Sequence, residues 1–131
     1  MKLSDEERTV IVAMQFEKAA AFISQAKANA DLDFWDVVAN RLYYAVFHAA
    51  AGMFIHDELK VETHKGAVVM FGKNYVSTGK FTKDEAKLFS NLQSLREKSD
   101  YNCVYQSDAE EMRPLIEGAE RLIEKMKSYS I

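Results

Sequence analysis

Apolar residues recur at steps of three and four along most of the chain, which is the spacing of one face of a helix. The first such stripe runs from Val12 to Ala30, and shorter ones follow over residues 64–75, 81–95 and 112–126. Residues 34–55 are different, because they are apolar on nearly every side. A helix that is apolar all round is a central helix or one shared with a second subunit. The pattern therefore predicts five helices.

Capping residues indicate where these helices begin and end. Three pairs have the spacing of a capping box: Ser4 with Glu7, Thr82 with Glu85, and Ser107 with Glu110. Thr63 is expected to cap the third helix, and residues 31–33 should provide the N-cap of the second. Residues 77–80 close the third helix, and Pro114 should kink the fifth or delay its start.

Length and composition favour one helical domain. A chain of 131 residues is long enough to bury one core. One proline and five glycines leave little material for the many turns of a β-sandwich or a barrel. We therefore predict an all-α fold, an up-and-down four-helix bundle with an additional short helix, as a single domain over residues 1–131.

The charge balance and the single cysteine narrow the classes of function. The formal net charge is −3, whereas a protein that coats nucleic acid is normally basic. Any contact with RNA or a nucleotide should therefore be confined to one groove. Cys103 cannot form an internal disulfide, which indicates a reducing, cytoplasmic compartment. The sequence shows neither a signal peptide nor an apolar run of bilayer length, so we expect no membrane contact.

The second helix carries two groups that could act on a phosphate. Arg41 and His48 are seven residues apart, which places them about 10.5 Å apart along a helix and about 20° apart around it. Tyr44 lies between them on the adjoining flank. A guanidinium can bind a phosphate through two hydrogen bonds, and an imidazole can move a proton near neutral pH. Together they could cleave RNA without a metal, with the ribose 2′-hydroxyl as the nucleophile.

A purely structural alternative stays open for this pair. Burying a guanidinium without a partner costs several kcal/mol. Arg41 could therefore pair with an acid, for which Asp100 is a candidate, while His48 fills a packed position.

Two further clusters could border the same cleft. Arg96 and Asp100, followed by Tyr101, have the spacing of an ion pair within one helix, and this simple pair is the alternative to a ligand-binding role. His64 and Lys65 begin a helix, where free N–H groups favour an anion. The alternative there is an ordinary Thr63 cap, with His64 packed inward.

Other kinds of chemistry find no support in the sequence. Three histidines and one cysteine offer no spacing typical of a zinc site. No glycine-rich phosphate loop and no nucleophile elbow is present. We therefore expect neither a metal nor an organic cofactor.

Three motifs resemble the HEPN family, the higher eukaryotes and prokaryotes nucleotide-binding domain. They are residues 40–50 (NRLYYAVFHAA), 63–66 (THKG) and 95–101 (LREKSDY), in the order of the family. The closest likeness is to its small stand-alone prokaryotic branch. Active nucleases of the family commonly have a polar residue after the arginine, where this chain has Leu42.

The resemblance implies a helical bundle that dimerises, with the arginine-to-histidine motif in a cleft near the two-fold axis. In relatives that cut RNA, an arginine followed after four to six residues by a histidine forms a metal-independent ribonuclease site. Those positions correspond to Arg41 and His48. Many relatives act as toxin and antitoxin with a minimal nucleotidyltransferase.

Three hypotheses follow from the sequence. The first is a homodimer that binds a nucleotide or RNA at Arg41 and His48 and acts as a ribonuclease toxin. The second is a non-catalytic partner subunit of a nucleotidyltransferase, with Tyr43, Tyr44 or Tyr101 as modification sites. The third is a structural dimerisation module whose polar residues lock the packing.

Overall fold

The computed structural model describes residues 2–131, and every regular element in that range is helical. The α-helices are α1 (Asp5–Asp31), α2 (Trp35–His56), α3 (His64–Phe71), α4 (Lys83–Tyr101) and α5 (Ala109–Ser130). A π-helical turn, Gly72–Val76, continues α3. The four long helices form a bundle and α3 is the additional short helix, which confirms the predicted all-α fold. Within residues 2–131 no helix combines the length and the apolar character needed to cross a membrane.

An N-terminal capping box and an apolar stripe determine where α1 begins and which face it buries. The Ser4 hydroxyl accepts a hydrogen bond from the Glu7 N–H, and the Glu7 carboxylate accepts one from the Ser4 N–H. This is the predicted capping box. The six stripe residues are all buried: Val12, Phe16, Ala19, Ile23, Ala26 and Ala30. The stripe therefore defines the face of α1 that enters the core.

The α2 helix is the centre of the bundle. It packs against α1, α3, α4 and α5. Leu42, Tyr43, Ala45 and Val46 on successive sides of it are fully buried. Most of the apolar surface of α2 is thus covered within a single chain, although Val37 near its start stays 41% exposed.

Two helix starts differ from the sequence prediction. Asp33 adopts a left-handed conformation, with φ of 61°, and Phe34 becomes the N-cap of α2. The N-cap of α5 is Asp108, whose carboxylate accepts from the Glu111 N–H at 2.8 Å, so the predicted box of Ser107 with Glu110 is wrong. The Ser107 hydroxyl instead lies 2.9 Å from that of Ser99, where it ties the loop to α4.

Two other boundaries were placed correctly by turn and cap residues. Gly79 has a φ of 82°, a conformation that glycine adopts without strain, and it lies in the turn that separates α3 from α4. The α4 helix begins after Thr82, whose capping box with Glu85 is formed. Pro114 lies inside α5, which continues beyond it to Ser130.

The α1 and α2 helices approach each other closely at Gly52. A Cβ atom on this glycine would lie 2.9 Å from Cε2 of Phe16 and 3.2 Å from Cβ of Gln15. Real Cβ contacts are almost never that short, so the crossing needs a residue without a side chain. The close crossing brings the side chain of Gln15 against α2, next to the candidate site.

Candidate functional site

Arg41 is held between α1 and α2 by neutral groups. Its Nε donates to Oδ1 of Asn40 at 3.0 Å and its Nη1 to Oε1 of Gln25 at 3.1 Å. Its Cζ lies 4.8 Å from the centre of the Phe22 ring. Within residues 2–131 no carboxylate comes within 4.0 Å of the guanidinium. The pairing with Asp100 that the sequence allowed is not formed, and the side chain is oriented without being neutralised.

His48 lies on the same side of α2 and is oriented by α1. Its Nδ1 is 2.7 Å from Oε1 of Gln15, so a proton on Nδ1 is donated to the amide oxygen. Partial burial lowers the pKa of His48, and the charge of Lys18 lowers it further. The ring is therefore mainly neutral at pH 7, and the tautomer that donates from Nδ1 to Gln15 has its lone pair on Nε2. That arrangement is suited to accepting a proton.

Phe22 joins these two groups into one site. The ring that Arg41 covers also meets the His48 ring edge to face, with 5.3 Å between the ring centres. Sequence reasoning missed Phe22 because it read α1 only through its buried stripe. The signal was a second row at helical spacing, Gln15, Lys18, Phe22 and Gln25, on the flank of that stripe.

Arg96 is the centre of a second cluster, on α4. It is only 6% exposed, and its Cζ lies 5.2, 5.6 and 5.8 Å from the ring centres of Tyr43, Tyr44 and Tyr101. Its Nη1 is 3.8 Å from Oδ2 of Asp100, near the outer limit of an ion pair. The expected i, i+4 contact exists, but aromatic faces surround most of the guanidinium and stabilise its charge.

Asn40 connects the two clusters. Its Nδ2 donates to Oδ2 of Asp100 at 3.0 Å, while its Oδ1 accepts from Arg41. A polar chain therefore runs from Arg41 through Asn40 and Asp100 to Arg96. The helical position of Asn40, about 100° from Arg41, did not suggest this contact, because the amide reaches around the helix.

His64 packs inward at the start of α3. The Thr63 hydroxyl accepts from the Gly66 N–H at 2.8 Å, as an ordinary N-cap does. Nδ1 of His64 lies 2.8 Å from the Tyr43 hydroxyl, and its ring centre is 4.7 Å from that of Phe47. Burial lowers the pKa of His64, and the charge of Arg96 lowers it further. Lys65 is exposed beside it.

Apart from the exposed Lys65, the predicted site residues thus fall into two linked groups. Arg41 and His48 share Phe22. The second group, around Arg96, comprises Tyr44, His64, Asp100 and Tyr101. In residues 2–131 no three histidine, cysteine or acidic side chains form a group that could hold a metal ion.

Comparison with known proteins identifies the class. The model of the HEPN domain matches residues 12–129, a range that includes every residue of both clusters. This chain therefore belongs to the HEPN domain family, as the motifs predicted.

Three named relatives come from two archaea and a bacterium. The chain is 32% identical over 92 residues to a candidate toxin of Methanocaldococcus jannaschii, covering 70% of this chain and 67% of that protein. It is 26% identical over 88 residues to a UPF0332 protein of Thermotoga maritima, covering 67% of both chains. A UPF0332 protein of Archaeoglobus fulgidus is 26% identical over 115 residues, 88% of this chain and 91% of that one.

Proposed function

We propose that this protein is a metal-independent endoribonuclease that binds an RNA phosphate at Arg41 and transfers a proton through His48. One observation carries the proposal. Two amide oxygens, of Asn40 and Gln25, orient the Arg41 guanidinium but leave its positive charge without an acidic partner. A structural arginine between helices is normally paired, because an unpaired charge is costly. A phosphate would provide the missing negative charge.

The reaction follows from the positions of the two groups. The ribose 2′-hydroxyl attacks the adjacent phosphorus, and Nε2 of His48 accepts its proton. The bond from phosphorus to the 5′-oxygen breaks, and that oxygen takes a proton from water. The hydroxide left behind takes the proton from His48, which returns the imidazole to its neutral form. The products are a 2′,3′-cyclic phosphate and a 5′-hydroxyl. Arg41 stabilises the charge that develops on the phosphoryl oxygens.

The low pKa of His48 suits this role. A base must be unprotonated to act, and burial together with Lys18 keeps the imidazole neutral near pH 7. The hydrogen bond from Nδ1 to Gln15 leaves Nε2 as the reactive nitrogen. Lys18 and Arg41 both lie against the Phe22 ring and offer positive charge to RNA on a chain whose net charge is −3.

We further infer that the protein acts as the toxin of a toxin–antitoxin pair and that its working unit is a homodimer. The relative from Methanocaldococcus jannaschii carries a toxin name. On α1, Val10 and Met14 are 59% and 60% exposed and lie one turn apart, as in a helix that pairs with a copy of itself. The mass of the purified protein in solution tests the dimer.

The direct test is cleavage of total RNA and a tRNA pool in EDTA. We expect cleavage by the intact protein, and loss of it in both Arg41→Ala and His48→Ala. Arg121→Ala is the matched control, because Arg121 is exposed on α5 and pairs only with Glu117 of its own helix. Equal cleavage by the intact protein and both site variants would overturn the proposal and indicate a contaminating nuclease.

A second candidate is a non-catalytic partner of a nucleotidyltransferase, and the exposure of Tyr101 favours it. This side chain is 78% exposed beside Arg96, whereas Tyr43 is fully buried and bonded to His64. Tyr101 is thus the most exposed tyrosine of the cluster, since Tyr44 is half-buried. Incubation with a minimal nucleotidyltransferase and a nucleoside triphosphate should then increase the mass of the protein, and Tyr101→Phe should abolish the increase.

A further inference from the structure

A cavity of about 310 Å³ opens beside His48, between α1, the second half of α2 and the segment that leads into α3. Its walls are mainly apolar and include Phe47, Ala51, Phe54, Ile55, Leu59 and Ala67. The two polar residues of the lining are Gln15 and Lys60. The volume lies at the lower end of the range of small-molecule sites. The cavity is therefore large enough for one flat ring system.

The cavity is continuous with the proposed catalytic site. Gln15 accepts the Nδ1 proton of His48 and also lines the cavity. Phe47 meets the His48 ring, with 5.8 Å between ring centres, and lines the cavity as well. Along α2, Ala51 follows His48 by about one turn, whereas Arg41 precedes it by about two. Along α2 the order is thus Arg41, then His48, then the cavity.

We propose that this cavity binds the nucleobase of the nucleotide that carries the attacking 2′-hydroxyl. The inference rests on the proposed function. Because His48 takes the proton of that hydroxyl, the ribose must lie against the imidazole. The phosphate then extends toward Arg41, and the base, attached next to the 2′-carbon, extends the other way into the cavity.

The polar groups of the cavity specify which base edge fits. The Oε1 atom of Gln15 is engaged by His48, which leaves Nε2 as the free donor of a side chain that lines the cavity. Lys60 adds an ammonium donor; its contact with Glu62 is an exposed pair of little strength. Among residues 2–131 no acidic side chain lines the cavity. A cavity that offers hydrogen-bond donors and no carboxylate favours a base edge rich in carbonyl oxygens. Uracil is therefore preferred to adenine, because the amino group of adenine would face another donor.

The experiment measures binding rather than cleavage. Nucleoside 3′-monophosphates resemble the product side of the reaction and cannot be cut, so 3′-UMP and 3′-AMP are titrated by calorimetry beside uridine and inorganic phosphate. We expect 3′-UMP to bind more tightly than 3′-AMP and more tightly than phosphate alone. Absence of 3′-UMP binding, or tighter binding of 3′-AMP, would contradict the proposal.

A variant that fills the cavity with a side chain tests the site, and the same substitution on the exposed side of α1 is its matched control. Ala51→Phe places a ring in the cavity, and Ala28→Phe adds the same ring on the exposed side of α1. Ala51→Phe should weaken 3′-UMP about tenfold, the scale of one base contact, and leave inorganic phosphate unchanged. Ala28→Phe should change neither affinity. An unaltered affinity of Ala51→Phe for 3′-UMP would overturn the assignment of the cavity.

A second measurement needs no variant. The methyl resonances of Ala51 and Ala67, both in the cavity wall, should shift on addition of 3′-UMP. Shifts confined to residues outside the cavity would place the base elsewhere.

The outcomes separate this inference from the proposed function. If uridine binds and Ala51→Phe removes that binding while Arg41→Ala leaves phosphate affinity unchanged, the cavity stands and the ribonuclease assignment fails. If cleavage depends on Arg41 and His48 but Ala51→Phe binds 3′-UMP normally, the ribonuclease assignment stands and the assignment of the cavity fails.

Discussion

Nδ1 of His48 lies 2.7 Å from Oε1 of Gln15, so the imidazole on α2 takes its orientation from α1. A hydrogen bond to one ring nitrogen decides which nitrogen is free for chemistry. In the proposed mechanism Gln15 is therefore a positioning residue, and its place in α1 makes the site depend on how the two helices cross.

Changing Gln15 should alter the pH dependence of cleavage. The pKa of His48 lies below its ordinary value of 6.5. The activity of the intact protein, which needs neutral His48, should accordingly persist below pH 6.5 and fall only as the pH drops through the lowered pKa. Gln15→Glu places a carboxylate at Nδ1, which favours the charged form of His48. The fall in activity on the acid side of the pH profile (the acid limb) should therefore move to higher pH. The measurement is kcat/KM against pH. A limb that does not move would show that Gln15 and His48 are not in contact during the reaction.

Gln25→Glu should reduce cleavage through the charge of Arg41. The glutamate would lie about where Oε1 of Gln25 now accepts from Nη1, and it would form an ion pair that competes with the RNA phosphate. Near a protein surface such a pair is worth roughly 1 kcal/mol, which corresponds to about a fivefold loss in kcat/KM. Gln106→Glu, at an exposed position of the loop before α5, adds the same charge as a control. Equal losses in both variants would assign the effect to net charge alone.

The two arginines should differ in their contribution to stability. Arg96 is buried against three tyrosines, so Arg96→Ala removes their cation–π contacts and leaves a void. We expect the free energy of unfolding to fall by about 2–3 kcal/mol. Arg41→Ala loses only hydrogen bonds to two amides and one ring contact, and should cost less than about 1 kcal/mol. Urea denaturation of the two variants measures both values. A larger loss for Arg41→Ala would favour the structural alternative for that residue.

Gly52→Ala should damage the site from inside the bundle. The new methyl would meet Phe16 at 2.9 Å and Gln15 at 3.2 Å, and would push α1 away from α2. Overpacking of this kind costs about 1–3 kcal/mol, and the shift should also lower cleavage because Gln15 would leave His48. Gly118→Ala is the control, since its nearest neighbour would be the flexible Leu88 side chain at 3.4 Å. The expected pattern is loss of both stability and activity in Gly52→Ala alone.

The positions of the helices could be predicted from the sequence where they depend only on interactions within one helix. The stripe of α1 and the boxes at Ser4 and Thr82 depend on period and on a side chain that caps its own helix. The start of α5 was misplaced by one residue because Ser107 and Asp108 can both cap. The contact of Ser107 with Ser99, made by folding, leaves the cap to Asp108.

The sequence by itself determined the all-α class, the central helix, the family motifs and the presence of Arg41 and His48 on one side of α2. Period, composition and motif order are properties of the chain, and helical geometry converts them directly into faces. Only the tertiary structure decided what surrounds that pair. Gln15, Phe22 and Gln25 come from α1, and the close crossing at Gly52 places them against α2. Contacts between helices depend on how the buried faces pack, which the spacing within either helix does not specify.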